Sequence, residues 1–102
     1  MNDHDREYNA KRLEEGFEKR GIPGYMRGGI RRYVLNGIPP GDFLSALFSN
    51  DLMGCYKRAD DQNIRAMHGY AMLLYNDCPA GCYGSPEKFK AWLAHASAVE
   101  AD

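Results

Sequence analysis

The sequence has few of the residues from which β-sheets are usually built. It contains no threonine, two valines and four isoleucines among 102 residues. β-Branched side chains suit the pleated, half-buried surface of a strand, so a sheet in this chain would consist almost wholly of aromatic residues. The composition therefore predicts an all-α protein. With 44% hydrophobic residues, the chain is long enough for one modest core and too short for two.

The chain also lacks a long apolar run, a charge excess and an even number of cysteines. No apolar run reaches ten residues, so we expect neither a membrane span nor a signal-peptide core, and a cytoplasmic location. The formal net charge of −1 gives no bulk attraction to DNA or to an anionic membrane. Cys55, Cys78 and Cys82 cannot all pair within one chain, and we expect thiols in a reducing compartment.

Residues 1–20 are dominated by charged side chains of both signs. Within residues 2–20, the only large apolar residues are Tyr8, Leu13 and Phe17, too few to cover a whole helix face. We therefore predict a charged N-terminal helix, frayed at its start or docking on a partner, which Gly21 ends. The core domain is expected to comprise residues 21–98, and residues 99–102 are expected to form a frayed tail.

Two Gly-Ile-Pro sequences, at 21–23 and 37–39, mark the ends of a second helix that begins near Pro23 and closes at Gly37. Three more helices are predicted from apolar residues at helical spacing. Each predicted inward face is as follows: Met26, Ile30, Tyr33 and Val34 in the second helix; Leu44, Leu47, Phe48, Leu52, Cys55 and Tyr56 in the third; Ile64, Met67, Ala71, Leu74 and Tyr75, widened by Tyr70 and Leu73, in the fourth; Phe89, Trp92, Leu93 and Ala96 in the fifth. Asp60 and Ser85 are the expected N-caps of the last two helices. The result is a compact bundle of about five helices.

Five short motifs resemble a group of short proteins that bacteriophages and prophages encode. They are Ile-Pro-x-Tyr-Met-Arg-x-Gly-Ile (22–30), Gly-Ile-Pro-Pro-Gly-x-Phe-Leu (37–44), Asn-Asp-Leu (50–52), Arg-Ala-Asp (58–60) and Gly-Ser-Pro-Glu-Lys (84–88) before Trp92. The resemblance extends over residues 22–93. It implies a protein that acts in the host cytoplasm as an inhibitor or modulator of host machinery, including anti-CRISPR and other anti-defence factors.

A zinc site and an active site are each weakly indicated. Cys78 and Cys82 have a spacing that zinc accepts, and Cys55 and His68 are candidate third and fourth ligands, but a second closely spaced pair is missing. We expect ordinary thiols, no cofactor, and a zinc-stabilised module only as an alternative. His68 would lie about 10 Å along the helix from Asp61, too far for a hydrogen bond, so no catalytic grouping is predicted and the chain is not expected to be an enzyme.

The basic residues of the second helix are the predicted binding residues. Arg27 and Arg31 share one helix face, with Arg32 beside them and Arg20 and Tyr25 nearby. A guanidinium group binds phosphate and carboxylate equally well, so nucleic acid and an acidic protein surface are both candidate ligands. The alternative is a solvated face whose arginines pair with acids of the first helix, namely Glu14, Glu15 or Glu18.

The sequence favours a protein partner over nucleic acid. Residues 42–63 carry four acids against two bases, which is not the continuous basic surface of a nucleic-acid binder. Seven tyrosines in a small chain are typical of interfaces, where an apolar ring with a polar end is useful. We therefore predict a non-catalytic inhibitor of a host protein complex, with a nucleic-acid-binding regulator as the alternative. Self-association is compatible with both.

Overall fold

The computed structural model describes residues 2–101, and the side chains of residues 2–94. Helices and connecting loops make up this part of the chain, which contains no strand, so the all-α prediction is confirmed. None of its helices combines the length and the apolarity that crossing a membrane requires. The helices are α1 (Asp3–Arg20), α2 (Gly24–Asn36), α3 (Asp42–Phe48), α4 (Leu52–Arg58), α5 (Asp61–Arg65), α6 (Met67–Asp77) and α7 (Pro86–Ala101), with a 3₁₀ turn at Ala80–Cys82.

The helix ends follow the capping residues that the sequence predicts. Gly21 and Gly37 end α1 and α2 with φ of 66° and 68°, in the left-handed region that glycine adopts without strain. Asp60 caps α5, since its carboxylate accepts from the amide three residues on at 2.8 Å. Ser85 caps α7 in the same way at 3.1 Å. These local rules hold because they depend on neighbouring residues alone.

The core forms where α2, α3 and α7 meet. The ring of Tyr33 lies 4.3 Å from that of Phe48 and 5.2 Å from that of Phe89, measured between centroids. Its buried hydroxyl donates to the carbonyl of Cys82 at 2.7 Å, so the ring is packed and its polar end is satisfied. Trp92 is half-buried, and its indole nitrogen donates to the carbonyl oxygen of Tyr33 at 3.2 Å.

The charged helix α1 belongs to this core. It packs along α6 and beside α2, and its Leu13 and Phe17 are completely buried. Gly69 of α6 permits the close approach, because a Cβ atom there would lie 2.2 Å from the carbonyl oxygen of Arg20. Two apolar residues at i,i+4 are therefore enough to seat this helix, and the core domain does not begin at residue 21.

The prediction of about five helices is wrong in its count. The expected third helix is two, α3 and α4, because Asn50 has a left-handed φ of 61° and Asp51 starts a new helix by accepting from Gly54 N at 2.9 Å. The expected fourth helix is also two, since the chain leaves helical geometry at Ala66, between α5 and α6. At the C-terminus α7 continues to Ala101. The expected tail residue Asp102 and the side chain of Ala96 lie outside the described part.

Five residues that we expected in the core are exposed. The four large ones, Leu52, Tyr56, Ile64 and Tyr75, have 61%, 47%, 43% and 77% of their surface accessible, and the fifth is Ala71. The break at 49–51 changes the phase of α4, which turns Gly54 and Cys55 inward. The short helix α5, which ends at the break at 66, turns Asn63 inward. In α6 the inward residues are Tyr70, Leu73 and Leu74. The predicted inward faces are wrong at these residues because the prediction continues one helical period across each break.

Candidate functional site

The side chain of Arg27 binds the C-terminal end of α1. Its Nη1 donates to a carboxylate oxygen of Glu18 at 2.7 Å, and its Nε donates to the carbonyl of Ile22 at 2.8 Å. A longer bond of 3.4 Å reaches the carbonyl of Phe17. Cationic groups are favourable at a helix C-terminus, where carbonyl oxygens lack intrahelical partners. Arg27 thus fastens the loop between α1 and α2.

Arg31 forms a two-bond ion pair with Glu14. Its Nε and Nη2 each donate to a carboxylate oxygen at 2.8 Å, and this hydrogen bonding holds the pKa of Glu14 below its usual range. The guanidinium groups of Arg27 and Arg31 lie 5.7 and 5.1 Å from the centroid of the Phe17 ring. We call Arg27, Arg31, Glu14 and Glu18 the arginine face. Its basic charges are paired with the acids of α1, as the solvated-face alternative predicts.

The other predicted binding residues have separate positions. Arg20 joins α1 to α6 through a 3.1 Å contact between its Nε and the carboxylate of Asp77. Tyr25 donates its hydroxyl to Asp60, which raises the pKa of Tyr25 to about 12 and lowers that of Asp60. Arg32 is exposed and makes no ion pair or hydrogen bond with the described residues. The five residues therefore do not form one binding surface.

The proposed zinc ligands do not come together. Cys78 and Cys82 are in hydrogen-bond contact, and this bond together with burial raises the pKa of the Cys78 thiol. Burial likewise raises the pKa of Cys55, whereas zinc binds thiolate. His68 is exposed on α6. Within residues 2–94, no group of three or more histidine, cysteine, aspartate or glutamate side chains, the four candidate ligands included, is arranged to hold a metal ion.

A small apolar groove lies between α4 and α6. Its volume is about 140 Å³, and its walls include Leu52 and Cys55 from α4 and Met67, Ala71 and Leu74 from α6. Exposed apolar side chains occur on the same two helices as the groove walls. Tyr56 lies one turn beyond Leu52, Tyr75 lies one turn beyond Ala71, and Met53 is the residue next to Leu52. We call Leu52, Met53, Tyr56, Ala71 and Tyr75 the groove surface. Met53 and Tyr75 are each 77% exposed.

The charges beside the groove surface are mainly basic. Lys57 is exposed one turn beyond Met53, and His68 is exposed one turn before Ala71. The acid that lines the groove, Asp51, has one oxygen engaged as the N-cap of α4. A partner with acidic residues beside apolar ones would match this arrangement.

A second pocket, of about 300 Å³, lies between α2, α3 and α5. Its lining residues are Tyr25, Met26, Gly29, Arg32, Gly41, Asp42, Phe43, Leu44, Asp60 and Asn63. It therefore combines an apolar wall with charged groups of both signs. We call it the α2–α3–α5 pocket.

Sequence reasoning missed the groove surface, although the sequence carries a signal for it. Apolar residues of α6 fall on more than one side, because Tyr70, Leu73 and Leu74 face inward while Ala71 and Tyr75 do not. A helix that is apolar on several sides is either wholly buried or presents an apolar side to a partner. The helical spacing predicts that all of these apolar residues are buried, whereas the structure shows that α6 is covered on one side.

Comparisons with models of protein families, with curated proteins and with solved structures find no match to this chain. The site is therefore interpreted from its own chemistry.

Proposed function

We propose that this chain is a non-catalytic binding protein that docks on another protein through the groove surface. The observation that carries the proposal is the exposure of Leu52, Met53 and Tyr75 around a groove that already has apolar walls. Leaving large apolar side chains in water costs about 25 cal/mol per Å² relative to burying them. Contiguous apolar surface on a small protein commonly marks an interaction site.

The occupant is an amphipathic helix with acidic residues beside its apolar side. A groove between two helices accepts side chains that repeat every three to four residues, as in other helix-in-groove complexes. Tyrosine and methionine are enriched at interface centres, and both occur here. Lys57 and His68 would face the acidic residues of the partner and increase the rate of encounter.

The resemblance to phage-encoded proteins gives this partner a biological setting. The partner would be a subunit of a host complex, such as a CRISPR–Cas or other defence system, in the host cytoplasm. Binding through an apolar groove would block a surface which that subunit needs for another contact. This mode of inhibition requires no catalytic residue and no cofactor.

The test is affinity capture from a bacterial lysate with a matched set of variants. Met53→Gln combined with Tyr75→Gln should abolish retention of the partner, and Ile38→Gln should keep it. Ile38 is a suitable control because it is 44% exposed and does not line the groove. Because the changed side chains are largely exposed, the double variant should unfold at the same urea concentration as the wild type within error.

Three results would contradict the proposal. The first is a stoichiometric partner that both variants retain equally. The second is a nucleic acid that is retained in place of a protein and is lost on Arg32→Gln. The third is a dimer in light scattering that the double variant converts to a monomer, because the groove surface would then be occupied by a second copy.

A further inference from the structure

The α2–α3–α5 pocket contains a buried amide group with an unused donor. Asn63 is 3% exposed, its Oδ1 accepts from the hydroxyl of Tyr70 at 2.6 Å, and its backbone amide donates to Asp60. Its Nδ2 has no hydrogen-bond partner among the described residues. Among these residues no fully enclosed side-chain nitrogen or oxygen lacks a partner, so Nδ2 keeps some contact with solvent, and Asn63 lines this pocket. A buried donor in this state favours a ligand that brings an acceptor.

A second donor of the pocket is also unused. The guanidinium of Arg32 folds back along its own helix, since a Cβ atom at Gly28 would lie 3.1 Å from Nη1. In contrast to Arg27 and Arg31, Arg32 has no acidic partner within residues 2–94. Gly29 lets Leu44 of α3 pack closely against α2 in the neighbouring wall, because a Cβ atom at Gly29 would lie 3.1 Å from a methyl group of Leu44. Two unused donors, one of them cationic, thus serve one pocket.

The acids of the pocket narrow the choice of ligand. Asp42 and Asp60 carry two negative charges, against Arg32 and against Arg58, whose Nε lies 3.9 Å from the carboxylate of Asp42. The surroundings therefore have no excess of positive charge to hold a dianion such as phosphate. A single carboxylate satisfies the donors with less repulsion. Met26, Phe43 and Leu44 form an apolar wall, and about 300 Å³ is room for an amino-acid-sized molecule.

We propose that the α2–α3–α5 pocket binds a monocarboxylate with a small apolar body, its carboxylate placed between Arg32 and the Asn63 amide. Free apolar amino acids and the C-terminal residue of a peptide share this chemistry. They differ in the amino group, which is cationic in the free amino acid and can face Asp42 or Asp60. The site is separate from the groove surface, so it does not depend on the proposed function.

The test is a titration of the full ¹⁵N-labelled protein followed by amide NMR shifts. Leucine or N-acetyl-leucine should shift the amides of Gly29, Arg32 and Asn63 with a Kd on the order of 1 mM, as expected for so few ligand atoms. Leucinamide, which lacks the carboxylate, should shift none of them. Tighter binding of leucine identifies the free amino acid as the ligand, and tighter binding of N-acetyl-leucine identifies a peptide C-terminus.

Arg32→Gln should weaken this binding about tenfold or more. Arg65→Gln is the matched control, because it removes the same charge from an exposed position outside the pocket and should leave the Kd unchanged. The proposal is overturned if neither carboxylate binds at 20-fold the expected Kd, if leucinamide binds as well as leucine, or if both arginine variants weaken binding equally.

Discussion

Charged surface residues are usual candidates for a binding function, and apolar residues usually form the core. The arginine face and the groove surface of this protein show the opposite arrangement. In the arginine face, Arg27 and Arg31 pair with acids of α1, and both lie over the buried ring of Phe17. In the groove surface, Met53 and Tyr75 extend into solvent without a covering element. The charges of the arginine face are thus paired within the protein, whereas the apolar side chains of the groove surface remain exposed to solvent.

This difference follows from what each type of side chain requires. An exposed ion pair contributes little binding capacity to a third group, since each charge already has its counter-charge and the pair is worth about 1 kcal/mol or less. An exposed apolar side chain gains free energy from any partner that removes it from water. The comparison therefore favours α4 and α6 as the interaction surface that we propose.

The largest effect should come from the apolar residue beneath the charges. Phe17→Ala should lower the free energy of unfolding by about 3–5 kcal/mol, because the ring is completely buried and its loss leaves a cavity. Leu52→Ala, in the groove surface, should cost less than about 1 kcal/mol, because 61% of Leu52 is already exposed. Urea unfolding followed by circular dichroism measures both. Equal losses would show that the two regions do not differ in this way.

The next effect concerns the contact between α1 and α6, the helix that carries both a covered side and an exposed one. Gly69→Ala should destabilise by about 1–3 kcal/mol, because the new methyl group meets the backbone carbonyl of Arg20 at 2.2 Å, and a backbone atom cannot move aside cheaply. Gly24→Ala is the control, since a Cβ atom there meets nothing within 4 Å. A neutral Gly69→Ala would mean that α1 sits more loosely on α6.

The sequence was sufficient for features that depend on neighbouring residues. The caps at Asp60 and Ser85 and the stops at Gly21 and Gly37 are local, and the structure confirms each of them. It was insufficient where tertiary packing decides the outcome. Asn50 and Ala66 interrupt helices whose apolar periodicity continues beyond the break, and neither residue is a strong helix breaker.

For the candidate site, the sequence indicated residue types and not their partners. The approach of Glu14 and Glu18 to Arg31 and Arg27 depends on how α1 packs on α2, which residue spacing does not encode. The sequence also does not indicate the Nδ2 donor of Asn63, because an asparagine in a polar segment is expected to be exposed. Conversely, the sequence predicts that Tyr75 is buried, because Tyr75 lies one helical turn from Ala71 on the predicted inward face.

A smaller effect tests whether the charges of the arginine face stabilise one another as ion pairs. Glu14→Gln should cost about 0.5–1 kcal/mol at neutral pH, because it removes the ion pair with Arg31 at a largely exposed position. Glu15→Gln is the control: Glu15 is exposed and lies beside Glu14 without an ion pair among the described residues. Added salt should reduce the difference between the two variants.

The pH dependence of this pair has a defined sign. The pKa of Glu14 is lower in the folded state than its ordinary value of 4.5, so the contribution is complete above pH 4.5 and is lost as the pH falls through the lower folded value. The stability difference between wild type and Glu14→Gln should therefore shrink on acidification below that pH. A difference that is constant down to pH 3 would contradict the ion pair.

The smallest effect is spectroscopic and concerns Tyr25, the predicted binding residue that the structure places at the α2–α3–α5 pocket. Its hydrogen bond to Asp60 raises its pKa to about 12, so Tyr25 should contribute no tyrosinate absorbance at pH 10, where a tyrosine of ordinary pKa is half ionised. The bond stabilises the folded state below pH 10 and ceases to do so as the pH rises through about 12. Asp60→Asn should bring the pKa of Tyr25 back toward 10, while asparagine still caps α5. Asp42→Asn, which removes an acid from the same pocket, should leave it unchanged. If both variants shift Tyr25 alike, its pKa reports the charge of the pocket and not a hydrogen bond, and the contact between α2 and α5 would lose its support.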